Sequence, residues 1–191
     1  MTKKQSRRKY QKPFPVLPML VGLALVGFGA LAMYSPASNT NAVSSSSVVP
    51  MEVNFAAPEL SLQNINGKTE SLAAYRTDVV LVNNWATWCP PCKAEMPTLS
   101  DYYNEHHADG FTIIAIEAGD PLQPVAQFAE SYQLQFPVWL DPNGDSINAF
   151  GNGNLPNSYV IDRTGMVRYA WTGEISKDML EKYVTPLIEE K

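Results

Sequence analysis

The chain has 191 residues, is 45% hydrophobic and 17% charged, and carries a formal net charge of -5. This suits one ordinary domain with a packed core plus an appendage. Residues 1–12 hold six basic side chains and no acid, leaving 8 basic and 19 acidic residues, or -11, for the rest; an acidic domain argues against nucleic acid, whose phosphates call for Lys and Arg.

The basic start (Lys3, Lys4, Arg7, Arg8, Lys9, Lys12) runs into VLPMLVGLALVGFGALAMY, Val16 to Tyr34, which has no charge. About 20 apolar residues cross a hydrocarbon core of ~30 Å. Lys and Arg before such a span hold that end in the cytoplasm. Residues 13–34 therefore read as a single-pass anchor in the cell membrane, after a basic cytoplasmic segment at 1–12, with the remainder of the chain on the outer side. A cleaved signal peptide is the other reading, with Ala30-Leu31-Ala32 as its cleavage site; the domain is then secreted. The length of the run favours the anchor. Ser6-Arg7-Arg8-Lys9-Tyr10 has a weak twin-arginine pattern that topogenic charge also explains. No cysteine lies near the end of the run, which excludes a lipoprotein anchor. Residues 35–52, SPASNTNAVSSSSVVPME, are uncharged until Glu52 and read as a flexible spacer. Residues 53–191 read as the folded domain.

In that domain ELSLQNINGKTESL alternates and turns at Asn66-Gly67, a strong hairpin signal. DVVLVNNW, Asp78 to Trp85, is a β-branched run of the kind buried in a central strand. After Cys89 a helical pattern carries Met96, Leu99 and Tyr103 toward one side. FTIIAIEA, from Phe111, is a second buried strand, PLQPVAQFAESYQL a helix, and FPVWLDPNGD a short strand ending in a turn. NSYVIDRTGMVRYAWTG reads as a strand pair joined at Arg163-Thr164-Gly165. Ser176 then caps a last amphipathic helix with Leu180, Tyr183, Leu187 and Ile188 on its apolar side. This order predicts an α/β fold, a central mixed sheet with helices on both faces.

Cys89 and Cys92 are the only cysteines. A structural disulfide across two residues closes almost no loop and stabilises little. A zinc site needs four ligands, and the only histidines are His106 and His107. Those two neighbours point about 100° apart on a helix, so no metal site is expected. The redox reading fits the local order: a buried strand ends, Cys89 comes next, and a helix begins. There the helix dipole and free N–H groups stabilise a thiolate, the attacking species in disulfide exchange. Cys92, one turn further in and less exposed, would resolve the mixed disulfide.

VLVNNWATWCPPCKAEMP resembles the thioredoxin superfamily and, within it, the membrane-anchored TlpA/ResA-like thiol–disulfide oxidoreductases of bacteria. The resemblance spans about residues 55–191 and includes Pro97, five residues after Cys92, and NLPNSYVIDRTG, similar to the family's G-x-P-x-x-[FY]-x-I-D-x-x-G segment. It implies a thioredoxin-like fold with an N-terminal β-hairpin extension. It implies that Pro156 is a cis-proline facing the disulfide, which leaves the Leu155 backbone free to pair with a substrate strand. It places Trp88 beside the disulfide as contact surface. In thioredoxins the position of Asn83 holds a buried acid. Asn83 does not ionise, so Glu95, which shares a helix face with Cys92, is the candidate for influencing cysteine ionisation, with a solvated glutamate as the plain alternative. Glu117 ranks below it. Asn84 replaces the phenylalanine usual in this family's strand.

Pro90 and Pro91 carry no N–H, which removes two donors from the Cys89 thiolate, and no histidine stands between the cysteines. A less stabilised thiolate makes a less oxidising disulfide. The expectation is therefore a reductant of client disulfides that needs no cofactor beyond the redox-active pair. The resemblance implies a membrane thiol carrier of the CcdA/DsbD type as electron source and oxidised proteins, apocytochrome c among them, as clients, hence a role in cytochrome c biogenesis. A disulfide donor or isomerase on the same fold stays open. A metal chaperone would need C-x-x-x-C and a later histidine, and a peroxidase P-x-x-x-T-x-x-C; neither is present. A non-catalytic binding module would not need both cysteines.

Overall fold

The structure, a computed structural model, describes residues 48–190. The basic segment, the apolar span and the spacer up to residue 47 lie outside the described residues. None of the described helices is long and apolar enough to cross a membrane.

Backbone pairing begins at β1 (Met51–Ala56), followed by a hairpin of β2 (Ser61–Asn64) and β3 (Thr69–Ser71). Next come β4 (Val79–Trp85), α1 (Pro90–His106), β5 (Phe111–Glu117), α2 (Leu122–Ser131) and β6 (Val138–Leu140). The chain closes with α3 (Asp145–Phe150), β7 (Asn157–Ile161), β8 (Met166–Thr172), α4 (Lys177–Tyr183) and α5 (Thr185–Glu189). The strands form one mixed sheet in the order β1-β8-β7-β4-β5-β6-β2-β3. β4 sits at its centre, parallel to β5 and antiparallel to β7.

Alternation along β4 builds two cores. Val79, Leu81 and Trp85 join Met96 and Leu99 of α1, Val125 and Phe128 of α2, and Leu180 and Leu187 of α4 and α5. Val80 and Val82 face the other way, with Ile114, Ile116 and Trp139, and with Leu62 and Leu72 of the hairpin region. The short α3 adds Phe150 on that second face, where its ring stacks on Tyr159. Helices thus cover both faces unequally. Two successive right-handed crossovers moving in one direction, β4-α1-β5 and β5-α2-β6, put α1 and α2 on the same side.

Several local expectations change. The spacer at 35–52 and the domain from 53 meet two residues early, because Met51 and Glu52 already pair with β8. The hairpin turns through three residues, with Gly67 N–H on the Asn64 carbonyl (2.9 Å) and Asn64 N–H on the Lys68 carbonyl (2.8 Å). Gly67, at φ 80°, takes the left-handed position that such a loop requires. On α1 it is Tyr102 that is fully buried, and Tyr103 is half-buried. The turn expected at the end of FPVWLDPNGD continues into α3, whose six residues show too little periodicity to separate helix from turn. The last helix is two pieces. α4 ends at Tyr183 with Val184 as its cap, and Pro186 in the first turn of α5 cannot continue an i to i-4 ladder.

Candidate active site

β4 delivers the chain to a short loop, Ala86 to Trp88, and Cys89 then caps α1. Cys89 has extended backbone angles (φ -85°, ψ 111°), and its Sγ accepts the Cys92 N–H at 3.3 Å. Pro90 and Pro91 fill the first two helical positions, where a missing N–H costs the helix nothing. Cys89 and Cys92 are joined by a disulfide. Cys89 keeps 3% exposure and Cys92 none, the expected order by a narrow margin. Trp88 is 64% exposed, an apolar surface directly before the pair. α1 runs on through Pro97 to His106.

Glu95 is buried on the same helix. Its Oε1 accepts Asn83 Nδ2–H at 2.8 Å and its Oε2 the Ile175 N–H at 3.1 Å. Burial pushes its carboxyl up to about 8, against the pull of the Asn83 and Ile175 hydrogen bonds, which favour the ionised form. Glu95 is therefore no solvated helical glutamate. Asn83 also donates Nδ2–H to Ser158 Oγ at 2.9 Å, and its buried Oδ1 has no partner among the described residues. β4, α1, β7 and the segment after β8 thus meet at one polar knot beneath the cysteines.

The Leu155–Pro156 bond is cis and Pro156 is buried. Asn83 pairs with Ser158 and Asn84 with Asn157 across β4 and β7. Continued by one residue, that register brings Pro156 level with Trp85, where the active-site loop departs. Leu155 packs against the cluster that contains both cysteines. Its backbone N–H and C=O have no partner among the described residues.

Two groups are not evident from the sequence pattern. Asn84, Asn157, Ser146 and Asp141 are all buried and hydrogen-bonded to one another in series. A doubled asparagine inside a β-branched strand is the available signal. Glu117, the last residue of β5, stands out as a carboxylate at a strand end, but its setting does not. It is buried, its Oε2 accepts the Asp120 N–H at 2.8 Å, and its Oε1 has no partner among the described residues. Burial, then Asp120, raises its carboxyl to about 7. Asp120 in turn holds the N–H and hydroxyl of Thr87 in the active-site loop, which keeps its own carboxyl low. His106 and His107 sit at the far end of α1, His106 tilted against Tyr102 and His107 stacked on Tyr103. No cluster of three or more metal-ligating side chains occurs among the described residues.

A cysteine pair at a helix start, a cis-proline beside it and a mixed sheet behind it agree with the proteins this chain is similar to. Residues 53–170 match the AhpC/TSA family. The thiol-disulfide oxidoreductase ResA of Geobacillus thermodenitrificans is 35% identical over 132 residues, 69% of this chain and 76% of that protein. ResA of Oceanobacillus iheyensis is 31% identical over 190 residues, 97% of this chain and 94% of its own. Among solved structures, a thiol:disulfide interchange protein of the thioredoxin family from Chlorobium tepidum superposes with a TM-score of 0.65 at 28% identity, covering 72% of this chain and 99% of that one. With the family match over residues 53–170 and most of the length of its relatives covered, the chain belongs to the AhpC/TSA family of thioredoxin-fold proteins and is a thiol–disulfide oxidoreductase of the ResA type.

Proposed function

We propose that this enzyme reduces client disulfides outside the cytoplasm. The observation that carries the direction is the cap of α1: with Pro90 and Pro91 in the first two positions, one helix N–H, that of Cys92, reaches Cys89 Sγ. A thiolate with few donors is weakly stabilised, and a weakly stabilised thiolate belongs to a reducing pair.

In the reduced protein the Cys89 thiolate attacks one sulfur of the client disulfide. The client S–S bond breaks, a mixed disulfide forms, and one client thiolate leaves. Cys92 then loses its proton and attacks Cys89 Sγ. The internal disulfide forms and the second client thiolate leaves. Two electrons pass to the client, and two protons go to its thiols at neutral pH. Glu95, one turn beyond Cys92 on the same side of α1, is the acid–base group for the Cys92 proton. Its carboxyl, raised to about 8 by burial, holds or yields a proton near neutral pH. Asn83 fixes Glu95 through Oε1. Trp88 and the unpaired Leu155 backbone form the surface on which an extended client segment lies.

The apolar span at 13–34 supports a membrane anchor with the domain outside, and that placement requires an electron source in the membrane. A thiol carrier of the CcdA/DsbD type fills that role, and oxidised proteins such as apocytochrome c are the clients.

The test is the reduction potential of the full chain, titrated in a thiol buffer and followed by the fluorescence of Trp85 and Trp88. A value near or below about -270 mV supports the reductant. A value near about -120 mV reverses the direction and makes the protein a disulfide donor. No transition removes the redox role of the pair.

A further inference from the structure

Asn84 stands on the face of β4 away from α1, where the neighbours Val80 and Val82 are apolar. A buried amide there needs partners for both its ends, and it has them. Its Oδ1 accepts Ser146 Oγ–H at 2.7 Å, and its Nδ2 donates to Asn157 Oδ1 at 2.8 Å. Ser146 is held by the Asp141 carboxylate, which accepts the Ser146 N–H at 2.9 Å and the Asp145 N–H at 2.8 Å. With Oδ1 occupied by a hydroxyl, Asn84 presents only its amino end to Asn157. Asn157 turns its oxygen inward and its Nδ2 outward, because its outer neighbours are carbonyls, which only accept. That Nδ2 donates to the carbonyls of Asn152 (3.1 Å) and Asn154 (2.9 Å), the residues that lead into Leu155.

The side-chain series from Ser146 Oγ to Asn157 has one polarity, set by the carbonyl acceptors of Asn152 and Asn154. Other ties on the 152–154 segment are Asn152 Nδ2–H on Thr172 Oγ1 at 2.9 Å, Asn154 N–H on Asn152 Oδ1 at 3.0 Å and Asn152 N–H on the Ile147 carbonyl at 3.2 Å. The two side-chain ties are exposed, whereas the Asn157 bonds are part-buried and the Asn84 bonds behind them fully buried.

We propose that Asn84 and Asn157 are positioning residues for client recognition: through the carbonyls of Asn152 and Asn154 they set the place of the Leu155 backbone, against which an extended peptide carrying the disulfide pairs. The inference rests on the reading under Proposed function, in which Leu155 meets the client. It separates two kinds of substrate. A peptide disulfide uses the Leu155 backbone. A small aromatic disulfide, dithiobis(nitrobenzoate), has no peptide backbone and reaches Cys89 without it.

The experiment compares the full chain with Asn84→Ala, Asn157→Ala and the double variant, on a cyclic two-cysteine peptide disulfide and on dithiobis(nitrobenzoate). Loss of one buried hydrogen-bond partner predicts a KM for the peptide raised about tenfold in each single variant. The double variant shows no further rise, because the two residues act in series. Peptide kcat, the rate with the small disulfide and the reduction potential stay at wild-type values. Equal losses on both substrates, no loss on the peptide, or an additive double variant each overturn the inference. If Asn84→Ala fails to fold, Ser146→Ala removes only the hydroxyl bonded to Asn84 Oδ1 and leaves that buried oxygen unpaired, and it must raise the peptide KM alone. A wild type that does not exchange with the peptide defeats the reading beneath, and this inference with it. Wild-type exchange with unchanged variants defeats this inference only.

Discussion

Glu95→Gln keeps the shape of a buried side chain and removes its charge. In the folded protein Glu95 binds its proton up to about pH 8, against an ordinary 4.5 in the unfolded chain. Between those values the folded state holds a proton that the unfolded state has released, so stability falls as pH rises through the window and is flat above it. At about 1.4 kcal/mol per tenfold change in proton affinity, the rise from 4.5 to about 8 corresponds to a fall of about 5 kcal/mol. That is a large part of a usual net stability of about 5–15 kcal/mol. The glutamine has no such slope. Its penalty falls instead at one contact, where an NH2 group meets either Asn83 Nδ2–H or the Ile175 N–H, a cost of about 1–3 kcal/mol at every pH. The two stability curves therefore cross: wild type is the more stable at pH 5, and the variant by roughly 2–4 kcal/mol at pH 9. Urea unfolding of the oxidised full chain at pH 5, 7 and 9, followed by tryptophan fluorescence, measures both. Parallel curves would show that Glu95 does not hold its proton into the neutral range, and its match to the Cys92 proton as an acid–base group would go with that result.

Glu117→Gln tests the second buried carboxyl. Its proton is held up to about 7, so the wild type loses stability as pH rises from the ordinary carboxylate range toward 7. The variant should match or trail the wild type at pH 5 and exceed its melting temperature at pH 8; an equal difference at both pH values counts against a raised Glu117 carboxyl. Arg163→Ala removes guanidinium hydrogen bonds to the carbonyls of Leu187 (2.9 Å), Ile188 (3.1 Å), Glu190 (2.8 Å) and Asp109 (3.1 Å). With part of this set exposed, the loss is about 2–3 kcal/mol in urea unfolding at unchanged reduction potential; a shift in potential would mean that the end of α5 communicates with the cysteines.

Local pattern is enough for the parts of this protein that chemistry makes obvious. Two cysteines two residues apart, between a β-branched run and a helix start, announce the disulfide and its place at the cap of α1. Pro90-Pro91 announces which N–H groups the cap lacks, because a proline lacks its own in any context. The central strands are legible because β4 and β5 are buried on both faces and so read as continuous apolar runs. Tertiary structure alone decides the rest. Met51 to Ala56 alternates apolar and polar over only a few residues, its apolar side chains stay mostly exposed, and pairing with β8 makes it a strand. Glu95 can be ranked from its spacing to Cys92. Its burial and its contacts with Asn83 and Ile175 depend on residues 12 and 80 positions away. Asn84 and Asn157, 73 positions apart, acquire meaning only when β4 and β7 lie side by side. A polar residue in a strand says that a partner must exist, because a buried amide cannot go unpaired cheaply; which partner it is, and what that partner holds, is settled by the fold.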